Sequence, residues 1–222
     1  MDYIFLEKTP LFRGASALEI ETMLACLGAE VKKFPRGATV LMAGDVTESL
    51  GLVLSGSVSI ENDDAWGNKS ILGRAERGEV FAETYACVPG AKLMISAVAA
   101  EDCEILFLRP ARILHPCENA CSFHTALVRN LLFISSAKNL QLSRRIFHTS
   151  AKSIRGRLLS YLSHEATARG SRDFTIPFNR QQLADYLSVD RSALSNELSK
   201  MQREGLITFH RSHFTLLHTE EY

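Results

Sequence analysis

Residues 117–147 contain neither glycine nor proline, and leucine, isoleucine, valine and phenylalanine crowd the stretch. A run of this length without either residue predicts one long helix. Its apolar residues cover much of the circumference near residues 127–137, so the helix has to be covered on more than one side. We expect the preceding region to cover one side and a second copy of the same helix to cover the other, which predicts a homodimer through this central helix. An ordinary core helix is the alternative.

The region before that helix follows a different pattern. Short runs rich in valine, isoleucine, leucine and phenylalanine recur between residues 31 and 109, and glycines separate them. Short strands at regular spacing with glycine turns are typical of an antiparallel roll or barrel. Residues 9–27 have the spacing of a short helix. We therefore predict an α+β fold with an N-terminal, jelly-roll-like antiparallel β-roll, a long central dimerisation helix and an α-rich C-terminal region.

Composition narrows the class of protein further. The chain of 222 residues has room for one large domain or two small ones, and 25 Lys+Arg balance 25 Asp+Glu. No apolar stretch reaches the roughly 18 residues that a membrane helix needs, and the first residues lack the pattern of a secretory signal. We expect a cytoplasmic protein without a membrane partner. The five cysteines are an odd number and widely spread, so they are interpreted as reduced thiols.

Two short helices joined by a tight turn are predicted near the C-terminus. Asn179 is placed to cap the first of them, and Gln182 follows three residues later, as a capping box requires. Asp190 is placed to cap the second, which runs from Arg191 to about residue 204 and ends at Gly205. The inner face of the second helix consists of three apolar residues: Leu194, Leu198 and Met201. This arrangement is typical of a helix-turn-helix.

Short polar side chains remain on the outer face of the second helix, and those near its start are Arg191, Ser192, Ser195 and Asn196. The N-terminal end of a recognition helix enters the major groove, where Arg pairs with guanine, Asn with adenine and Ser with several base edges. Residues 206–217 fit a β-hairpin wing. Further DNA contacts are expected from Arg180, Gln181 and Arg211. The pattern predicts a winged helix-turn-helix that binds double-stranded DNA; a helical hairpin without a role in DNA binding is the alternative.

The stretch from residue 122 to residue 164 carries seven Lys or Arg side chains and no acid. A local positive field of this kind suits a polyanionic partner, and a solvated helix face is the alternative. Five histidines in the C-terminal region are expected to be ordinary surface or phosphate-facing groups: His148, His164, His210, His213 and His218.

The order of these features resembles the Crp/Fnr family of bacterial transcription regulators over almost the whole chain. The segments that carry the resemblance are Thr9-Pro10-Leu11-Phe12, Pro35-Arg36-Gly37, Ala43-Gly44-Asp45, Leu54-Ser55-Gly56-Ser57-Val58, Gly78-Glu79-Val80-Phe81-Ala82-Glu83 and Val189-Asp190-Arg191-Ser192-Ala193-Leu194-Ser195-Asn196-Glu197-Leu198. The resemblance implies an effector-sensing roll over residues 1–116, a dimerisation helix over 117–148 and a DNA-binding domain over 149–222. It also implies promoter DNA, a small-molecule effector and RNA polymerase as partners, and a palindromic site.

The same resemblance places an effector pocket in the roll, at Phe81, Ala82, Glu83, Met94, Ile95 and Ser96. In members that bind cyclic nucleotides, a Phe-Gly-Glu segment and a later Arg-Ser pair hold the ribose and the cyclic phosphate. Glu83 matches the acid, but Ala82 replaces the glycine and the later stretch has a serine without the arginine. Because a buried phosphate without a paired cation is strongly disfavoured, we predict that the chain does not bind cyclic AMP tightly. Glu83 is interpreted as a structural carboxylate, and the effector is unknown.

A redox- or metal-responsive regulator that uses Cys117 and Cys121 is the alternative, because two thiols four residues apart share one helix face. Their spacing matches no zinc-finger or iron–sulfur signature, so no metal site and no cofactor are predicted. An enzyme is not expected, since no histidine precedes His115 to build a metal site in the roll and no nucleophile is paired with a base. A roll-domain ligand-binding protein without a DNA function is the remaining alternative.

Overall fold

The computed structural model describes residues 1–63, 69–114 and 122–217. The chain divides into two compact units, Met1–Ala137 and Lys138–Tyr222. The predicted α+β class is confirmed, with antiparallel sheets, one long helix and helices that dominate the C-terminal unit. Within the described ranges, no helix combines the length and hydropathy that crossing a bilayer requires.

Two four-stranded antiparallel sheets form the roll of the N-terminal unit. Its strands are β1 (Glu30–Phe34), β2 (Thr39–Leu41), β3 (Leu50–Ser55), β4 (Val58–Asp63), β5 (Lys69–Ala75), β6 (Val80–Phe81), β7 (Ser96–Ala99) and β8 (Cys103–Leu108). One sheet has the order β1-β8-β3-β6 and the other β2-β7-β4-β5. Consecutive strands are thus often split between the sheets, as a jelly-roll-like arrangement requires.

A glycine inside β3 permits a close approach within the first sheet. A Cβ atom built on Gly51 would lie 2.3 Å from Cζ of Phe81. The Phe81 ring is nearly fully buried and occupies the space that any larger residue at position 51 would need. This contact anchors the strand that leads into Ala82 and Glu83.

Short helices flank the roll: α1 (Tyr3–Glu7), α2 (Ala17–Leu27), α3 (Glu83–Cys87) and α4 (Pro110–Leu114). The predicted helix over residues 9–27 is correct only in its second half. Ser16 and Glu19 form a capping box at the start of α2, and Gly14 before them has a positive φ of 88°. A cap at residue 16 ends helical backbone on its N-terminal side, which is why the helix cannot extend back to residue 9.

The predicted long helix is α5 (Ser122–Thr149). Leu127, Leu131 and Ile134 are buried on its inner face, and the side-chain amide of buried Asn130 donates to the carbonyls of Leu11 and Arg13, each at 2.9 Å. Large apolar side chains are exposed elsewhere on the helix: Leu132, Phe133, Leu140, Leu142, Ile146 and Phe147. At about 100° per residue, four of these side chains fall within one stripe about 100° wide, which we call the outer stripe of α5: Leu132, Phe133, Leu140 and Phe147. Ile146 lies about 40° and Leu142 about 80° outside its edge.

The C-terminal unit contains α6 (Ile154–Arg169), β9 (Asp173–Thr175), α7 (Arg180–Leu187), α8 (Arg191–Arg203), β10 (Ile207–His210) and β11 (His213–Leu216). Strand β9 pairs antiparallel with β11 and makes the predicted hairpin a three-stranded sheet in the order β10-β11-β9. The alternation of buried Phe174 and Ile176 with exposed Thr175 is the sequence signal for this strand.

Candidate functional site

The helix-turn-helix is built by local capping, as predicted. The Asn179 side chain accepts from the backbone N–H of Gln182 at 2.9 Å, and the Gln182 side chain accepts from the N–H of Asn179 at 2.8 Å. Asp190 caps α8 by accepting from the N–H groups of Ser192 and Ala193 at 2.8 and 2.9 Å. The turn between the helices thereby has a defined geometry, because both helix starts are satisfied by side chains.

The buried side of α8 determines which residues face outward. Leu194, Leu198 and Met201 are fully buried in the core of the C-terminal unit. Arg191, Ser192 and Asn196 are exposed and Ser195 is half-buried. The four predicted base-contacting residues therefore lie together in the first two turns of α8, on the side away from the core.

The three other predicted DNA contacts, Arg180, Gln181 and Arg211, lie at the start of α7 and in the wing. Gln181 is exposed and donates to the carboxylate of Asp185 at 2.8 Å. The guanidinium of Arg180 lies 4.9 Å from the centre of the Phe209 ring and donates to the carbonyl of Arg211 at 3.4 Å, and its burial lowers its pKa. Arg211 is exposed at the tip of the wing with a φ of 55°. Arg180 thus packs α7 against the wing, while Arg211 extends toward solvent.

Two arginines of the acid-free stretch bind carbonyls at the end of α7. Arg145 of α5 donates to the carbonyl of Tyr186 at 3.1 Å. Arg157 of α6 donates to the carbonyls of Leu187 and Ser188 at 3.0 and 2.9 Å. The last carbonyls of a helix lack intrahelical partners and carry partial negative charge, so guanidinium groups stabilise them. Arg145 and Arg157 therefore hold the end of α7 in place. The number of basic residues in the stretch did not predict this structural role.

A third arginine of the stretch, Arg155, is bound to α8. Its guanidinium lies 2.6 Å from a carboxylate oxygen of Glu197 and 2.8 Å from one of Glu204. The hydrogen bond from Arg155 lowers the pKa of Glu204. One residue near the start of α6 therefore bridges two turns of the candidate recognition helix and sets its position on the rest of the unit.

The expectation that the C-terminal histidines lie at the surface is wrong for His148. This residue is almost fully buried, and its Nδ1 lies 2.9 Å from the hydroxyl of Ser160. Aromatic rings pack around it, with those of Tyr161 and His164 centred 5.6 and 5.2 Å away. Burial, followed by electrostatic repulsion from the neighbouring His164 and Arg144, lowers the pKa of His148. The sequence had no signal for this burial, because the aromatic neighbours Tyr161 and His164 come from α6 and lie 13 and 16 residues further along the chain.

The predicted effector pocket places Phe81 and Glu83 in the interior of the roll. Phe81 and Glu83 are each only 3% exposed. Ala82 between them has a φ of 59°, in the left-handed region that favours glycine, and stands at the N-cap of α3. The sequence had indicated a change at this position because Ala replaces Gly there. The backbone keeps the conformation that a glycine would adopt, at the steric cost of a Cβ atom.

The second half of the pocket packs beside α3. The backbone N–H of Met94 donates to the hydroxyl of Tyr85 at 3.4 Å, which ties the second segment to α3, the helix that begins at Glu83. The Ser96 hydroxyl accepts from the N–H of Ala43 at 3.1 Å, Met94 is 77% exposed and Ile95 is half-buried. The hydroxyl of Ser96 thus already binds the loop after β2, and no cationic side chain stands between Leu93 and Ala99.

Three cysteines lie within the described ranges, and all are free thiols. Cys26 and Cys87 are exposed and Cys103 is buried. Burial raises the pKa of Cys103, and burial followed by the nearby Glu83 carboxylate raises that of Cys87. Cys117 and Cys121, on which the redox or metal alternative depends, lie outside the described residues. No cluster of three metal-ligating side chains occurs in the ranges that are described.

Comparison with known proteins divides the chain in the same way. The family model for the cyclic nucleotide-binding domain matches residues 31–119, and the model for the Crp-like helix-turn-helix domain matches residues 156–221. The cyclic AMP receptor protein of Thermus thermophilus is 25% identical over 213 residues, which cover 91% of this chain and 89% of that protein. The CRP-like protein Clp of Xanthomonas campestris is 26% identical over 187 residues, 79% of each chain.

Solved structures share the fold at low sequence identity. CprK complexed with OCPA superposes with a TM-score of 0.65 at 14% identity and covers 89% of both chains. The c-di-GMP-responsive global regulator CLP of Xanthomonas campestris superposes with a TM-score of 0.55 at 20% identity and covers 90% of this chain and 98% of its own. With the two family models in this order and the helix-turn-helix geometry described above, the chain belongs to the Crp/Fnr family: it is a DNA-binding transcription regulator that joins a cyclic nucleotide-binding domain to a Crp-like helix-turn-helix.

Proposed function

We propose that the protein is a homodimeric regulator that reads a palindromic promoter site with α8 and responds to an effector other than cyclic AMP. Residues 1–116 serve as the effector-sensing domain, 117–148 as the dimerisation helix and 149–222 as the DNA-binding domain. One observation carries the DNA assignment: Arg191, Ser192 and Asn196 are exposed at the start of a helix whose opposite face is fully buried. That end of a recognition helix is the end that enters the major groove.

The supporting contacts divide into base reading and phosphate binding. Arg191 offers a bidentate donor pair that suits guanine, and the amide of Asn196 suits adenine. Ser195 lies beside them. Exposed Arg211 at the tip of the wing and Gln181 at the start of α7 are placed to meet phosphates, and Arg180 fixes the wing to α7.

The outer stripe of α5 supports the homodimer. Leu132, Phe133, Leu140 and Phe147 expose more than half of their surface in the single chain. A helix with apolar residues on two sides is stable in water only when both are covered. In a symmetric dimer two copies of α8 would meet two half-sites about one helical turn apart, so the target is palindromic.

The pocket residues argue against cyclic AMP as the effector. Glu83 is present, but Leu93 is buried and Met94 is exposed where the later stretch would have to supply a cation. Transfer of a phosphate into such a site without a positive partner is strongly unfavourable. The relatives named above are described with different ligands, namely cyclic AMP, c-di-GMP and OCPA. The shared fold therefore leaves the choice of ligand to the pocket residues.

A footprint and a mobility shift on the region upstream of the protein's own gene test the DNA assignment. The full-length protein is expected to protect a palindrome. Arg191→Ala is expected to lose sequence preference and to keep weak nonspecific binding, because Arg191 reads a base. Arg203→Ala removes the same exposed side chain from the far end of the same helix and is expected to keep the preference. An unchanged footprint for Arg191→Ala contradicts the proposal.

Titration with cyclic AMP tests the effector assignment. Calorimetry on the full-length protein is expected to show no saturable heat at concentrations that saturate the Thermus thermophilus relative, and the melting temperature is expected to stay constant. A saturable signal that also changes the affinity for the palindrome would contradict the exclusion of cyclic AMP.

A further inference from the structure

We infer that Ser192 reads DNA as a hydrogen-bond acceptor, so that the base facing it carries an exocyclic amino group and is cytosine or adenine. This inference rests on the proposed function, since it requires α8 to lie in the major groove. It goes further because it specifies that Ser192 meets the amino group, and not the carbonyl oxygen, of one base pair in the half-site.

The geometry at the start of α8 determines the direction of the Ser192 hydrogen bond. The Ser192 hydroxyl lies 2.5 Å from Oδ1 of Asp190. The same oxygen accepts from the N–H groups of Ser192 and Ala193. A carboxylate that receives three hydrogen bonds is ionised and has no proton to give, so the hydroxyl must be the donor. Those bonds lower the pKa of Asp190, which keeps it ionised at neutral pH.

A serine hydroxyl has one proton and two lone pairs. Because Asp190 takes the proton of Ser192, only the lone pairs remain for a base. A hydrogen bond to a carboxylate is stronger than one to a neutral carbonyl oxygen. The hydroxyl therefore has little reason to rotate away from Asp190 and donate to guanine O6 or thymine O4.

The neighbouring hydroxyls on α8 also donate their protons within the chain. Ser195 donates to the carbonyl of Arg191 and Ser199 donates to that of Ser195, each at 2.9 Å. The serines of this face thus present lone pairs outward, whereas the donors are supplied by Arg191 and Asn196. In the major groove, cytosine N4 and adenine N6 are the donors that such an acceptor can meet. Of Ser192 and Ser195, only Ser192 is exposed, so we assign the base contact to Ser192.

The test begins with selection of DNA sites by the full-length protein and by Ser192→Ala. The position at which the two selections differ is the base pair read by Ser192. At that position, cytosine is replaced by 2-pyrimidinone, which lacks the 4-amino group, or adenine by purine, which lacks the 6-amino group. Loss of one hydrogen bond is expected to weaken wild-type binding about 5- to 10-fold. Ser192→Ala is expected to bind the natural and the modified base equally.

Ser192→Thr is the matched control, because it keeps the hydroxyl and the donor to Asp190 and is expected to keep the wild-type preference. Wild-type binding that stays unchanged when the 4-amino or 6-amino group is removed overturns the inference and leaves the DNA assignment intact. The same holds if Ser192→Ala selects the wild-type site at every position. Failure of the wild-type protein to select any sequence removes the proposed function itself, and with it this inference.

Discussion

Leu140 offers the most direct quantitative test of the homodimer. Its side chain is 59% exposed in the single chain and lies on the outer stripe of α5. Full burial of a leucine side chain stabilises by about 1.5–3 kcal/mol, so a seam that covered the exposed part would gain about 0.9–1.8 kcal/mol per chain. The symmetric pair would gain about 2–3.5 kcal/mol, which corresponds to about 30- to 300-fold in the dimer dissociation constant. We therefore expect Leu140→Gln to weaken dimerisation by a factor in this range.

Leu142 provides the control for that measurement. It is 60% exposed on the same helix, but two residues of rotation place it about 160° away from Leu140. Leu142→Gln removes the same apolar surface and has the same cost in helix propensity. Sedimentation equilibrium over a dilution series gives the dissociation constant for the wild type and both variants. Equal constants for Leu140→Gln and Leu142→Gln would show that the outer stripe is not the seam, and the reasoning from exposed area would be refuted.

Three further predictions concern the pocket and the C-terminal unit. Ala82→Gly is expected to raise the free energy of unfolding by about 1 kcal/mol, because glycine adopts a φ of 59° without the Cβ clash; urea unfolding measures it, and a lower midpoint contradicts it. Because the pKa of His148 is lowered in the folded protein, the unfolded chain binds the proton more strongly. The contribution of His148 to the free energy of unfolding is therefore complete above the ordinary pKa of 6.5 and is lost as the pH falls below it. His148→Phe is expected to flatten that fall in melting temperature between about pH 7 and 5, and a slope equal to that of the wild type would exclude His148 as its source. Arg155→Met is expected to lower the melting temperature and to weaken specific DNA binding measured by mobility shift. Arg169→Met breaks an ion pair between residues one turn apart within α6 and is expected to leave DNA binding unchanged; equal effects of the two variants would remove the positioning role of Arg155.

The number of basic residues in the acid-free stretch did not predict which groups those residues bind. Its seven basic residues predicted a positive field for a polyanion. Arg145 and Arg157 instead bind carbonyls at the end of α7, and Arg155 binds two carboxylates of α8. Long guanidinium side chains can reach any acceptor within several ångströms, so their partners depend on which distant segments the fold brings near.

Local sequence was sufficient to predict those features that depend on contacts within about one turn of helix. The capping box at Asn179, the N-cap at Asp190, the end of α8 at Gly205 and the outward position of Asn196 all follow from spacings of two to four residues. The order of elements and the resemblance to the Crp/Fnr family followed from the same short-range patterns. These predictions are confirmed because helix starts, helix ends and amphipathic faces are decided by neighbouring residues.

Tertiary structure decided everything that depends on contacts between residues distant in sequence. It buried His148 among aromatic rings, added β9 to the wing sheet and placed the Phe81 ring over Gly51. It also left the outer stripe of α5 exposed and the inner one covered. Burial and pairing of this kind depend on how whole elements pack, and the chain encodes that packing in the sum of many weak contacts that no short pattern contains.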